Sequence, residues 1–465
     1  MRYSEVARLR PVDLVSALDR PVQRVDPRRS SLTPLPRPAP YAAVEAGLAG
    51  TGEERLVLTL AGEGLSLSAV YAAGSCWLEV DGPAGPSVVR SRRSGRAGPV
   101  AALGLALTGT HVTVLTREVP SGPWTGRARV DLADTQPRAA ALVREPDWLD
   151  RLQVGHDGPA TSLLAGGFGQ LGLRDIRVVT HADGTAYDAG DGRVRLSATS
   201  AGPGPFGTGH ASVWALDPGS LALEQTADLF FHRPGERMVH GDHAVHVLRD
   251  GEEWLVATST WGDLDPDRDG ARVEVLLARC EAAAGPDVLR GVHVLRTEPL
   301  RLPTDGLVSV GVWDPHLVRT GSGWLVGYVS ASRFFRFHPV LAEGPDLRSL
   351  QLRAAALGRT ATEGPTLLLR PDVPGGVVVL ASDGPDGPRG AREQWVVLDA
   401  ELRPTGRLDG DFPTNIPWPT LVRDDRDGAS GWLLVTFDGT PHGGRVCGYG
   451  THGDVVVLRG TTDAH

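Results

Sequence analysis

Apolar positions along this chain fall in short runs with a period of two, bounded by Gly, Pro, Asp and Ser. That is the pattern of β-strands that bury one face. Between residues 55 and 135 such runs return about every ten residues. Arg55-Leu-Val-Leu-Thr-Leu, Leu65-Ser-Leu-Ser-Ala-Val, Cys76-Trp-Leu-Glu-Val and His111-Val-Thr-Val-Leu are separated by Gly-rich turns. This predicts a small antiparallel, β-sandwich-like domain over 51–135. The proline cluster Pro34, Pro36, Pro38 and Pro40 makes 1–50 read as an extended lead-in. The segment 136–170, with Gly166-Gly-Phe-Gly, reads as a linker. The uncharged stretch from Ala97 to Thr116 contains Pro99, Gly104 and Gly109, so it predicts a two-stranded hairpin and no membrane span.

From about residue 171 the pattern repeats. A strand headed by a polar residue, a turn rich in Gly and Asp, and a second apolar strand recur five times. The heads are Asp175-Ile-Arg-Val-Val, Asp242-His-Ala-Val-His-Val-Leu, Asp314-Pro-His-Leu-Val, Glu363-Gly-Pro-Thr-Leu-Leu and Asn415-Ile-Pro-Trp-Pro-Thr-Leu-Val. They stand 67, 72, 49 and 52 residues apart, the size of a four-stranded propeller blade with variable loops. The expected fold is therefore all-β: a five-bladed β-propeller over 171–465 preceded by the small sandwich. A second sandwich would give no reason for a polar residue to return at one point of every unit.

Composition narrows the chemistry. Gly (59) and Pro (36) make up about one residue in five of 465, as a turn-rich β-protein requires. All 47 basic residues are arginine, which excludes Schiff-base, phosphate-loop and kinase lysines. A net charge of −9 without a dense basic stripe argues against a nucleic-acid partner. Three dispersed cysteines, Cys76, Cys280 and Cys447, and a charged N-terminus without an apolar core give the expectation of a cytoplasmic protein with no membrane partner.

Inner-strand heads of a propeller converge on its central channel, which would gather Asp175, Asp242 or His243, Asp314, Glu363 and Asn415. Carboxylates crowded in a low-dielectric funnel repel one another, so one holds its proton while another stays ionised. Glycoside hydrolysis uses such a pair. The order Asp175, Asp314-Pro315, Glu363-Gly364-Pro365 resembles the five-bladed furanosidase and arabinanase group, glycoside hydrolase family 43 above all. The resemblance implies Asp175 as general base, Asp314 as the residue that tunes and positions the acid, and Glu363 as general acid, acting on a furanoside or pentoside with inversion, without a required cofactor. Asp175 is followed by Ile176, where that family has proline, and Asp242 is the competing base. The alternatives are a retaining β-fructofuranosidase-like enzyme and a propeller that only binds carbohydrate or protein.

Further candidates surround this set. Trp261, Trp313 and Trp418 lie at strand ends where rings stack on sugars, and Trp254, Trp324 and Trp432 read as packing residues. His240, His243 and His246 offer sugar contacts rather than a zinc site, since alternation sends His243 and His246 to opposite faces. Arg333, in Ser332-Arg-Phe-Phe-Arg-Phe-His-Pro, would bind hydroxyls, an acidic sugar or phosphate, or the stretch forms a buried satellite cluster under the blade. Asp265, Asp267 and Asp269, followed by Gly270, have the spacing of oxygen ligands to a structural calcium ion or of an acidic hairpin turn. Asn415 is the single asparagine, either an amide that donates to and accepts from hydroxyls without adding charge or a turn residue ahead of Ile416-Pro417.

Overall fold

Strands form wherever the two-residue alternation runs, and helices are confined to a few short turns. The computed structural model describes residues 2–19, 23–24, 32–49, 55–282, 285, 287–424 and 431–461. The repeat region resolves into five four-stranded antiparallel units. Unit I comprises Leu173–Val178, Val194–Ser200, His210–Leu216 and Leu223–His232. Unit II comprises His243–Asp250, Glu253–Ser259, Val275–Glu281 and Gly291–Pro299. Unit III comprises Gly311–Thr320, Gly323–Arg333, Arg336–Gly344 and Gln351–Ala355. Unit IV comprises Thr362–Leu369, Val377–Asp383, Gln394–Leu398 and Pro404–Gly410. Unit V has Thr420–Asp424, Gly431–Asp438 and Asp454–Thr461, and its fourth strand is Arg2–Leu9 from the other end of the chain.

Each unit buries its faces against the next. Val213 and Leu229 pack with Val247 and Val256 between units I and II, and Leu255 and Leu277 with Leu317 and Val326 between II and III. Val318 and Leu341 meet Leu367 and Val379 between III and IV, and Trp395 meets Leu434 and Leu458 between IV and V. Leu173, Ile176 and Leu196 then pack with Val422, Leu433 and Val435, returning unit V to unit I. This cyclic burial of apolar faces holds the units together, at about 25 cal/mol per Å² removed from water. Trp254 and Trp324 lie in these cores, and Trp432 packs against the one between IV and V.

The first fifty residues differ from the extended lead-in that their prolines suggest. Arg2–Leu9 pairs with Asp454–Thr461 along its whole length. It is the outer strand of unit V, meets Pro404–Gly410 of unit IV in parallel only at Arg2 and Tyr3, and leaves its charges exposed or half-exposed while Tyr3 is buried against Trp395. Tyr41–Gly47 lies at the heart of a second β-structure.

That second structure has two sheets over one core. Val44, Leu105 and Val112 from one sheet meet Leu58, Leu67 and Leu78 from the other. It extends past residue 135: Gln153–Asp157 and Ser162–Gln170 are strands of its two sheets, although 136–170 reads as a linker. The glycines that suggest flexibility serve close approach instead. A Cβ on Gly169 would stand 2.3 Å from the Asp13 carbonyl oxygen. The uncharged stretch forms the expected hairpin, Ala102–Thr108 with His111–Arg117. No helix among the described residues is long and apolar enough to cross a membrane.

Candidate active site

In units I to IV the first strand breaks register at the same point. The breaks fall between Arg174 and Arg177, His243 and His246, Trp313 and His316, and Glu363 and Thr366. Within each break one residue has positive φ: Asp175 (54°), Ala244 (57°), Asp314 (56°) and Gly364 (65°). These are β-bulges, which re-aim side chains at strand ends. Left-handed backbone costs a non-glycine residue about 1–2 kcal/mol, and Asp is among the residues that tolerate it. In unit V the run Trp418-Pro-Thr-Leu matches Gly364-Pro-Thr-Leu, placing Trp418 at the corresponding point. The equivalent positions are thus Asp175, Ala244, Asp314, Gly364 and Trp418, and the heads chosen from the sequence were out of step in units II, IV and V.

The bulges bring Asp175, Asp314 and Glu363 to one cavity of about 410 Å³, which His243, Trp261, Trp313, Asn415 and Trp418 also line. Thr199 Oγ1 donates to Asp175 Oδ2 at 2.6 Å. The Gly364 N–H donates to Asp314 Oδ2 at 3.3 Å, and Ser259 Oγ accepts from the Asp314 N–H at 3.1 Å. The Trp418 indole N–H lies 3.5 Å from Glu363 Oε1. Its ring packs on Gly364, where a Cβ would come within 2.5 Å of it. Only glycine satisfies both that contact and the positive φ.

Burial in this crowded pocket shifts all three acids upward. Burial first, then the negative charge of Asp175, pushes the Glu363 carboxyl up to about 8. Burial and the charges of Glu363 and Asp175 hold Asp314, which is 2% exposed, well above the usual carboxylate range. Asp175 is raised by burial but opposed by Arg174, by the Thr199 hydroxyl and by Arg177. Its anion is therefore supported by two cations and a hydroxyl, while Glu363 keeps its proton at neutral pH.

Two arginines that sequence reasoning passed over support this set. Arg174, 3% exposed, lies over the Tyr449 ring at 4.9 Å and meets His452 Nε2 at 3.0 Å. Its Nε and Nη2 have no acceptor among the described residues, and it lines the cavity. Arg177 donates to the Pro365 carbonyl (2.9 Å), Thr366 Oγ1 (3.0 Å) and the Asp314 carbonyl (3.2 Å), tying the strands of three units together. Burial lowers its guanidinium to about 10, so it remains charged at neutral pH. The signal was adjacency: both flank Asp175 in Arg174-Asp-Ile-Arg177.

Other expected residues fall elsewhere. Asp242 is fully buried and its carboxylate is taken by Arg233, at 2.9 and 2.6 Å, and by the Gly262 N–H at 3.0 Å. It does not line the cavity, and both of its oxygens are already engaged. Arg333 is exposed at the end of its strand, and its neighbours Phe334, Phe335 and Phe337 line the cavity in its place. No group of three or more His, Cys, Asp or Glu that could hold a metal is found among the described residues. Asp265 Oδ1 instead accepts the Asp267 N–H at 3.0 Å, closing the acidic turn.

His243 and His246 face Ser259 and Ala257, two apart on the partner strand, so the bulge puts them on the same face and simple alternation fails. They still part company. His243 lines the cavity, neutral because burial drops it to about 3. His246 stacks on His316 with centroids 4.0 Å apart. His240 contacts Glu236 Oε2 at 2.7 Å.

The sequence matches no protein-family model and no curated protein. Among solved structures, the GH32 β-fructofuranosidase BmSUC1 of Bombyx mori is similar at 14% identity over 62% of this chain and 59% of its own, with a TM-score of 0.38. The GH43_1 enzyme from Xanthomonas citri is similar at 12% over 62% and 87%, TM-score 0.38. Zg3597, a family 117 glycoside hydrolase from Zobellia galactanivorans, is similar at 12% over 62% and 83%, TM-score 0.42. At these values the likenesses bear no weight in the functional assignment, which stands on the site.

Proposed function

We propose that the chain is a glycoside hydrolase whose five units are the blades of a five-bladed β-propeller, with the N-terminal β-structure as a sandwich-like accessory domain. The observation that carries this is three carboxyl groups from three units at one cavity, with Glu363 held protonated to about pH 8 beside an ionisable Asp175. Glu363 donates its proton to the glycosidic oxygen as the C–O bond breaks. Water adds to the anomeric carbon and gives its proton to Asp175. Asp314 positions the acid, since its Oδ2 accepts the N–H of the residue that follows Glu363. Arg174, His243 and Asn415 supply donors and acceptors for hydroxyls.

A furanoside or pentoside released from a chain end with inversion is the substrate class and outcome in this reading, and the acid–base step needs no cofactor. An intracellular enzyme with a carbohydrate as its partner completes the proposal; Cys76, Cys280 and Cys447 are free thiols. A panel of 4-nitrophenyl arabinofuranosides, xylosides and fructofuranosides tests it, with NMR detection of the first-formed anomer. Turnover of at least one, abolished in Asp175→Asn, is expected. Retention of configuration would shift Asp175 to a nucleophile. Binding of sugars without turnover of any would leave a lectin-like propeller.

A further inference from the structure

The cavity is divided in its chemistry. Polar groups cluster about the carboxylates, where Asp314 is almost closed from solvent, whereas the remaining wall is mostly apolar, with Asp386 as its acidic exception. Tyr449, Phe206, Trp261, Trp313 and Phe337 form a continuous arc, with successive ring centroids 5.7, 4.9, 5.3 and 5.6 Å apart. Aliphatic Leu264 and Ile416, and Pro266, fill in beside them. Aromatic rings stack on a sugar face as well as on an apolar ring, but the phenylalanine-rich and aliphatic stretches of this wall offer nothing to a second sugar's hydroxyls, which favours an apolar ring.

The rim continues the pattern. Phe334 and Phe335 are the two turn residues of the hairpin between Gly323–Arg333 and Arg336–Gly344, whose ends pair Arg333 with Arg336. Phe335 has φ 65° and is 66% exposed. Gly or Asn is the residue that such a turn position favours, and a large ring there is both strained and wasted on water. Both phenylalanines line the cavity.

We infer that the substrate is a glycoside of an apolar ring aglycone, its sugar over Asp175, Asp314 and Glu363 and its aglycone against the aromatic arc and the Phe334-Phe335 lip. This rests on the glycosidase reading and specifies its substrate. The aglycone leaves as the alcohol or phenol carrying the proton from Glu363; the water oxygen bonds to the anomeric carbon and its proton passes to Asp175. Aliphatic and aromatic contacts to the aglycone hold the scissile bond in place.

The test uses one sugar, that of the best aryl substrate, as its methyl glycoside, its 2-phenylethyl glycoside and a disaccharide, so that all three leaving groups are alcohols. The expected kcat/KM for the 2-phenylethyl glycoside exceeds that for the disaccharide at least tenfold, mostly through KM. Phe335→Gly should shrink that ratio at least fivefold and melt no lower than the wild type, because glycine suits the turn. Equal or better cleavage of the disaccharide overturns the inference while leaving a glycosidase. A ratio unchanged in Phe335→Gly overturns it as well. No cleavage of any glycoside, activated aryl glycosides included, removes the glycosidase reading and this inference with it.

Discussion

Glu363→Gln replaces the carboxyl with an amide of the same shape that cannot give up a proton. With its pKa at about 8, roughly nine-tenths of the protein carries this proton at pH 7, against roughly 0.3% for a carboxyl at an ordinary 4.5. Proton donation by a placed acid contributes roughly 10²–10⁴ to rate, about 3–5 kcal/mol of barrier. The variant should therefore lose about that much kcat on glycosides with alcohol leaving groups, and far less on 4-nitrophenyl glycosides, which leave unaided. Wild-type kcat/KM should fall above about pH 8, and that alkaline limb should vanish in the variant.

The same carboxyl ties stability to pH. Its folded pKa lies above its unfolded value, so its contribution is full below about pH 4.5 and is lost as pH rises through about 8. The ceiling for this loss is about 5 kcal/mol, and water in the open cavity reduces it to about 2–3 kcal/mol. Urea unfolding should then show Glu363→Gln gaining on the wild type between pH 5 and pH 9. Wild-type turnover of an alkyl glycoside by the variant would refute the assignment, and so would an alkaline limb that survives the substitution.

Three more outcomes follow from particular contacts. Asp242→Asn breaks a buried ion pair with Arg233, which keeps Asp263 at 2.8 Å, so unfolding free energy should drop by about 3 kcal/mol with kcat within threefold; a thousandfold loss of kcat at unchanged stability would make Asp242 the base. Removing residues 1–9 strips the fourth strand from unit V and bares the edge of Asp454–Thr461, so the truncated chain should melt earlier and aggregate by light scattering; a monodisperse protein with wild-type melting would refute this. Asn415 has φ 71° and lines the cavity: Asn415→Gly should melt like the wild type but bind and turn over glycosides more than tenfold worse, whereas Asn415→Ala should also lose about 1 kcal/mol. Normal turnover by the glycine variant would reduce Asn415 to a turn residue.

Strand alternation and the recurring polar heads were enough to read an all-β chain with a fivefold repeat, and they placed Asp175, Asp314 and Glu363 on separate units. They failed where one inserted residue shifts the count. A bulge has no fixed sequence mark: Asp-Pro and Gly-Pro carry it in units III and IV, but Ala244-Val and Asp175-Ile carry it equally well. Asp242 therefore looked equivalent to Asp175, although Ala244 holds that place. The partners of Asp242 and Arg174 lie on other segments, and such pairings are set by packing rather than by local pattern. The first strand was hidden for a related reason: the outer strand of a unit docks through Tyr3 and its backbone pairing, so its charges resemble those of a loose tail.

Sealing the sheet of unit V with Arg2–Leu9 also sets a clock on biosynthesis. Arg2 pairs with Thr461, and at about 5–20 residues per second the ribosome needs roughly 20–90 s between making one and making the other. Throughout that interval Arg2–Leu9 lacks the antiparallel partner it has in Asp454–Thr461, although Pro404–Gly410, which Arg2 and Tyr3 meet in parallel, is made earlier. The chain must traverse its whole repeat region before unit V has all four of its strands.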